Sequence, residues 1–542
     1  MKLQVVSRAL QRERWCWPLA MALMAGAYLL MDMNWRDTAL ALIIYSCGRF
    51  LLRQFAPQAL HGALQRVWLT AFVLDLGVKS FLISVYQTKP DAVLIIDSLS
   101  NTNSGETFEF IEQYWRLIGL FLGETLLVGV LLWRLLPAVQ ARSRVSRIGG
   151  LVVLALVLGL QFNPTFRRNN PFYFWPSQVG SYTAFQKNIK TLGQKREVAR
   201  REMQTQWQPV YQGPAQDTVV VALGESTSRW DWQLYGYPRQ TNPQLAKLGD
   251  ELLVFRDVLS GAGGTVSSFK LMLTPRDLHN QLDDESSPSV MLLAKAAGYK
   301  TFWISNQHDR YINPRFAEEA DEMHLVNTGG GRGDRKLDEG VLPYYEQALR
   351  DPAPRKLIVV HLLGAHPDYA LRSPDDFKRF DGDQDAVGQA LKARGRNAWV
   401  RYERDVYDDA MLYQDHILAR LLDTLKASSG GSSASFLYTS DHAQEVGHTR
   451  DFAGHSGEEP GQVVPLLIWL SSPLPAPQAQ ALEQRPYQTD RLDWTLLDLL
   501  HIKTRRDLPG ASLLSADYHA LPRYLVNHPR QPYQPSTRAP VP

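Results

Sequence analysis

Cysteine is nearly missing from this chain: two residues, Cys16 and Cys47, in 542. That excludes a disulfide-stapled scaffold and any cysteine-rich metal cluster. A surplus of one charge sign is missing too. Lysine and arginine number 58 against 55 acidic residues, a formal net charge of +3, which argues against a dedicated nucleic-acid binder. Charged residues are only 21% of the chain, and 14 Trp, 22 Tyr and 20 Phe supply ample core material, so disorder throughout is excluded. No internal repeat is evident.

The apolar residues are unevenly spread. Runs at 15–33, 38–52, 67–86, 117–136 and 148–162 are each close to bilayer length, the second and fifth being short. Crowded into one block and separated by short charged loops, they are expected to form five membrane-spanning helices. Lys2, Arg8, Arg12 and Arg14 precede the first run, Arg49, Arg53 and Arg66 lie around the second and third, and Arg142, Arg144 and Arg147 precede the fifth. The alternate loops carry fewer cations, with Arg36 in one, and Lys89 and Arg116 against several acidic residues in the other. This asymmetry places the N-terminus in the cytoplasm, and five crossings place everything after 162 on the far side. Both cysteines fall inside the expected spans, so the exported part, about 380 residues, must be held by its own core. The 87–110 loop is longer than a connector needs, and is suited equally to folding onto the membrane surface or to solvent.

Residues 163–215 form an interfacial linker. Phe166, Phe172, Tyr173, Phe174 and Trp175 beside Arg167 and Arg168 suit the headgroup layer. The polar helix that follows is suited either to lie along the membrane or to lean on the exported domain. From 216 to 525 short β-rich runs alternate with helical ones. Candidate strands are 218–223, 252–258, 301–305, 356–363, 435–440 and 463–470. Near-continuous apolar strands separated by helices predict a mostly parallel, doubly wound α/β sheet covered on both faces. The Pro-rich stretch 526–542 has no apolar periodicity and is expected to be disordered.

In such sheets ligands bind beyond the carboxyl ends of the strands. Those positions hold Glu225 after the first strand, His361 and His366 after 356–360, and Asp441 and His442 after 435–440, with His448 and His455 following. The strand at 252–258 leads into a Gly-rich turn that opens a helix at Thr265. Each signal alone is weak: a strand-end Glu is usually a cap, and Thr is a common helix N-cap. Together they bring carboxylates and an imidazole to one rim. That donor set suits zinc better than the all-oxygen shells of magnesium or calcium. Three protein ligands leave a fourth position, for which Thr265 is the natural occupant, since metal coordination turns a poor hydroxyl nucleophile into a good one. Ser267 and Ser268 are rival hydroxyls within the same turn.

These residues resemble the phosphoethanolamine transferases, membrane-anchored members of the alkaline phosphatase and sulfatase superfamily. The resemblance covers most of the chain and is closest to the lipopolysaccharide core-heptose type in LGESTSRWDWQLYGYPRQTNP, AAGYKTFWISNQ, DPAPRKLIVVHLLGAHPDY and YTSDHAQEV. It implies a sulfatase-like catalytic domain at 216–525 and a zinc site of Glu225, Thr265, Asp441 and His442, with Thr265 becoming phosphoethanolaminated. It further implies catalytic or substrate-binding roles for His366 and His455, substrate binding by Asn306 and His361, and a second zinc site near His366 and His455. The implied protein is a monomer in the bacterial inner membrane with its catalytic domain in the periplasm. It takes phosphoethanolamine from phosphatidylethanolamine to an envelope glycan, lipopolysaccharide core or lipid A, with no nucleic-acid partner. The chain departs from the colistin-resistance branch in having no cysteine in its exported part and in reading Gly-Gly-Thr where that branch has Cys-Gly-Thr. This makes a lipid A acceptor less expected. The sulfatase consensus Cys/Ser-x-Pro-x-Arg is absent at Thr265, which argues against sulfate ester hydrolysis. A phosphoglycerol transferase, a metal-dependent phosphodiesterase and an inactive envelope protein are the alternatives.

Overall fold

The computed structural model describes residues 2–30, 35–86, 90, 92, 95–96, 104–136, 147–280, 282–307, 309–327, 337–382 and 384–535. The chain divides into two compact units. One holds Met1–Ile95 with Tyr114–Ala184, and the other Ile96–Gln113 with Phe185–Pro542.

The first unit is helical: α1 (Lys2–Leu30), α2 (Trp35–Phe55), α3 (His61–Tyr86), the greater part of α4 (Ser104–Leu135), α5 (Arg147–Leu160), the short α6 (Pro164–Arg168) and the start of α7 (Pro171–Glu202). A helix lies on each expected run among the described residues, but the count of five spans is not reproduced. Among the described residues, only His61–Tyr86 and Phe110–Leu135 are long and apolar enough to cross a membrane. Two physical reasons are plain: α2 carries Arg36, Asp37, Arg49 and Arg53, and α5 is 14 residues long. The core of this unit gathers Met24, Tyr28, Tyr45, Phe72, Leu76 and Leu132, while Leu120, Leu122, Leu126 and Leu127 on α4 face outward, as lipid-facing residues should. Polar stitches hold the corner where the chain leaves this bundle. Lys79 Nζ lies 2.9 Å from the Asp75 carboxylate and donates to the Arg168 carbonyl at 2.8 Å. Trp175 Nε1 donates to Asp75 at 2.9 Å, and Asn169 Nδ2 to Asp37 at 3.0 Å. The 87–110 loop lies largely outside the described residues, and its end, from Ser104, already belongs to α4.

The second unit is built on a seven-stranded sheet. Its strands are β1 (Asp217–Gly224), β2 (Leu252–Val254), β3 (Lys300–Ser305), β4 (Glu322–Leu325), β5 (Arg355–His361), β6 (Ser433–Ser440) and β7 (Leu466–Leu470), in spatial order β2-β7-β6-β1-β5-β3-β4. The sheet is mixed rather than mostly parallel, because β7 runs antiparallel to both β6 and β2. The connection from β6 to β7 contains no α-helix among the described residues, so the chain turns back beside β6 instead of crossing over. Apolar side chains from both faces feed separate cores: Val219, Val221 and Leu437 on one, Val220, Ala222 and Phe436 on the other. Helices α8 (Thr265–Met272), α9 (Val290–Ala296) and α12 (Leu492–Leu499) pack on the first face, and α10 (Leu342–Arg350) and the long α11 (Ala398–Ser429) on the second. The polar end of α7 leans on this unit: Lys195 pairs with Glu285, and Phe185 stacks on Tyr311 at 5.7 Å. Residues 526–535, expected to be disordered, are instead hydrogen-bonded to the unit through Val526, Asn527 and Tyr533. The rest of that stretch, 536–542, lies outside the described residues.

Candidate active site

The central strands deliver the site. β1 and β6 are parallel neighbours whose last residues, Gly224 and Ser440, are in register. The next residues, Glu225 and Asp441, therefore emerge side by side. Ser226 turns the chain sharply at φ +59°, a conformation uncommon outside glycine. Its N–H donates to Asp441 Oδ1 at 3.1 Å and its hydroxyl to Glu225 Oε1 at 2.7 Å. Gln307 Nε2 braces Glu225 Oε2 at 3.3 Å. The His442 ring donates from Nδ1 to the Ala443 carbonyl at 3.0 Å, which turns Nε2 inward. That atom lies 3.2 Å from Glu225 Oε1 and 3.5 Å from Asp441 Oδ2.

Glu225, Asp441 and His442 are almost wholly buried, and one ligand atom from each lies within 4.8 Å of the others. Thr265, the first residue of α8, adds a hydroxyl 3.0 Å from Glu225 Oε2. Of the rival hydroxyls, Ser268 is turned back toward the Ala262 carbonyl. No side chain caps the first turn of α8, so the helix end keeps its favourable potential for an anion. Burial and the neighbouring Glu225 push Asp441 upward. Burial lowers His442, but Asp441 and Glu225 outweigh it and raise the imidazole.

Asp441 Oδ2 and His442 Nε2 are buried without a hydrogen bond. Such atoms are costly unless something else satisfies them. Two carboxylates, an imidazole nitrogen and a hydroxyl make an N/O donor set of the kind zinc takes, so these residues fit a zinc ion.

The other expected residues fall into two groups. His455 and His366 border the cluster and are half-buried. The His455 ring lies 4.8 Å from that of His442. His366 sits on the turn after β5, where the Ala365 N–H donates to the Glu225 carbonyl at 3.0 Å. Gly364, at φ +55°, presses so close that a Cβ would meet the Glu225 backbone at 2.7 Å, so only glycine fits. Asn306 and His361, by contrast, are fully buried. The Asn306 amide donates to Asp338 at 2.9 Å. His361 packs against Phe269 in a tilted contact and against Trp303 in an edge contact, with the Ser305 hydroxyl 3.2 Å from Nδ1. His448 is a core histidine, held by Asp231 and Arg404 at 2.9 and 3.0 Å.

Sequence reasoning missed three residues. Gln307 and Ser226 lie inside quoted segments, next to chosen residues. Asp338 carries no local signal. It accepts from Asn306 and from the N–H groups of Leu363 and Gly364 at 2.8 and 2.9 Å, tying the ends of β3 and β5 together.

A sequence model of the Sulfatase family matches residues 217–502, the whole sheet and both halves of the site, and the chain belongs to that family. Phosphoethanolamine transferase EptC of Escherichia coli (strain K12) is 31% identical over 457 residues, covering 79% of this chain and 76% of the relative. Within the sulfatase family, then, this chain belongs to the phosphoethanolamine transferases. The periplasmic domain of E. coli EptC, solved in complex with zinc, superposes with a TM-score of 0.55 at 31% identity, covering 60% of this chain and 93% of that one. The integral membrane lipooligosaccharide phosphoethanolamine transferase A of Neisseria meningitidis is similar in fold, with a TM-score of 0.59 at 19% identity over 92% of this chain and 94% of that one.

Proposed function

We propose that this protein moves phosphoethanolamine from phosphatidylethanolamine to an envelope glycan, through a covalent adduct on Thr265. One zinc ion would be held by Glu225, Thr265, Asp441 and His442. The observation that carries this reading is the Thr265 hydroxyl, 3.0 Å from Glu225 Oε2 within a buried carboxylate–imidazole cluster. Bound zinc supplies Lewis acidity, which favours the alkoxide form of a hydroxyl and offsets phosphoryl charge.

The chain's own groups do the rest. Thr265 Oγ1 attacks the donor phosphorus as its proton passes to Glu225 Oε2, and the bond to the diacylglycerol oxygen breaks. That oxygen takes a proton from a rim histidine, His366 or His455. An acceptor hydroxyl then attacks the same phosphorus, gives its proton to the histidine, and the bond to Thr265 breaks with return of the proton to Oγ1. The α8 N-terminus holds the phosphoryl oxygens.

We read 1–162 as the inner-membrane domain with its N-terminus in the cytoplasm, 163–215 as the linker and the domain from 216 as periplasmic. Anchoring in the membrane raises the local concentration of a bilayer donor. The acceptor we favour is lipopolysaccharide core, with a monomer as the acting unit. The test is incubation with phosphatidylethanolamine labelled in ethanolamine, followed by peptide mapping. Label on Thr265 is the expected result. Label from phosphatidylglycerol alone would make the protein a phosphoglycerol transferase instead.

A further inference from the structure

The turn that carries Thr265 reads Ser260-Gly261-Ala262-Gly263-Gly264. Three glycines in five residues give it little rigidity of its own, so its shape must be imposed from outside. Two buried glutamines impose it. Gln488 Nε2 and Gln462 Nε2 both donate to the Ser260 carbonyl, at 3.0 and 3.2 Å. The other end of each amide is engaged by the C-terminal segment: Tyr524 N–H donates to Gln488 Oε1 at 3.1 Å and Val526 N–H to Gln462 Oε1 at 2.7 Å.

The same segment also reaches the loop that follows His455. Asn527 N–H donates to the Gly457 carbonyl at 3.0 Å and its side-chain amide to Glu458 at 2.8 Å, two and three residues after His455. The Val526 side chain stands 3.6 Å from where a Cβ of Gly263 would be. The segment is anchored by the Arg523 guanidinium, which forks onto Asp257 at 2.7 and 2.8 Å. One stretch of backbone thus fastens both the nucleophile turn and the His455 loop.

We propose that residues 523–527 are a positioning strap of the catalytic machinery, which sets the spacing between the Thr265 turn and the His455 loop through Gln462, Gln488 and Asn527. This rests on the reading of Thr265 as nucleophile. Loosening the strap should leave Glu225, Asp441 and His442 in place to hold the metal but spoil the approach of Thr265 to phosphorus, a step sensitive to displacements of an ångström or less.

The experiment uses the full chain in detergent with phosphatidylethanolamine mixed micelles. It follows single-turnover loading of Thr265 by mass spectrometry, with zinc content, thermal midpoint and steady-state kcat and KM for the donor. Four proteins are compared with the parent: a chain ended after Arg523, a chain ended after Pro535, Gln462→Leu and Gln488→Leu. The expected result is loading slowed by about tenfold or more in the first and in both glutamine variants, carried by kcat with donor KM and zinc content kept. The chain ended after Pro535 should load like the parent. Should the chain ended after Arg523 fail to fold, Gln488→Leu, which removes one amide, carries the same test. Folded glutamine variants that load at the parent rate, or that lose activity only in step with zinc or thermal midpoint, overturn the proposal. A parent chain that never acquires label on Thr265 refutes the proposed function itself, a different result, and the strap falls with it.

Discussion

Each unit of the molecule buries a small group of charges, and the two groups are finished differently. In the helical unit, Lys79 meets both Asp75 and the Arg168 carbonyl, and Asp75 also accepts from Trp175. In the sheet unit, Glu225, Asp441 and His442 are as deeply buried, yet Asp441 Oδ2 and His442 Nε2 make no hydrogen bond. A satisfied buried pair holds structure together. An unsatisfied one spends stability, and the natural use of that expense is a ligand.

The contrast breaks most sharply on removal of single groups. Thr265→Ala takes away the nucleophile without touching a core, so transfer should fall by about 10³-fold or more while the thermal midpoint stays near the parent value, as read by transfer assay and calorimetry. Lys79→Met leaves the Asp75 carboxylate buried without its cation. The helical unit should lose about 3–5 kcal/mol, measured by unfolding in detergent, with zinc content unchanged. Restoring neutrality with Asp75→Leu in the same chain should recover much of that loss.

The reverse is expected in the cluster. Asp441→Asn removes a charge that burial and Glu225 both oppose. The metal-free protein should therefore gain on the order of 1 kcal/mol while losing zinc affinity, which isothermal titration would report.

A smaller effect sharpens the picture for the sheet unit as a whole. Burial, the first cause in both, pushes Asp490 up to about 7 and Asp415 up to about 6. A carboxyl raised in this way contributes stability that is fully present below its unfolded value near 3.8 and is lost as pH rises through 6 and 7. The metal-stripped chain should accordingly melt higher near about pH 5.5 than near about pH 8, and Asp415→Asn should narrow the difference, by less than about 1 kcal/mol.

The two units also differ in what their sequence disclosed. Apolar strands buried on both faces leave few choices of position, so Glu225, Asp441 and His442 were readable as strand-end residues, and the register of Gly224 with Ser440 explains why they meet. Direction was not readable: the apolar run of β7 looks the same in either sense, and only its helix-free return from β6 makes the sheet mixed. The edge strand Glu322–Leu325 escaped because its alternation is polar and half-exposed. Asp338 and the strap were invisible for a different reason. Both act through backbone N–H groups and side-chain amides far along the chain, which leave no periodicity. In the helical unit, apolar length suggested five spans, while buried charges such as Asp37 and Arg49 on α2 make that helix too polar to qualify.

The most direct test is anomalous scattering at the zinc edge from crystals of the zinc-loaded protein. A peak about 2.0–2.2 Å from Glu225, Thr265 Oγ1, Asp441 and His442 Nε2 is the predicted result. No peak there, or a peak held by other residues, would contradict the assignment of these four side chains to one metal centre.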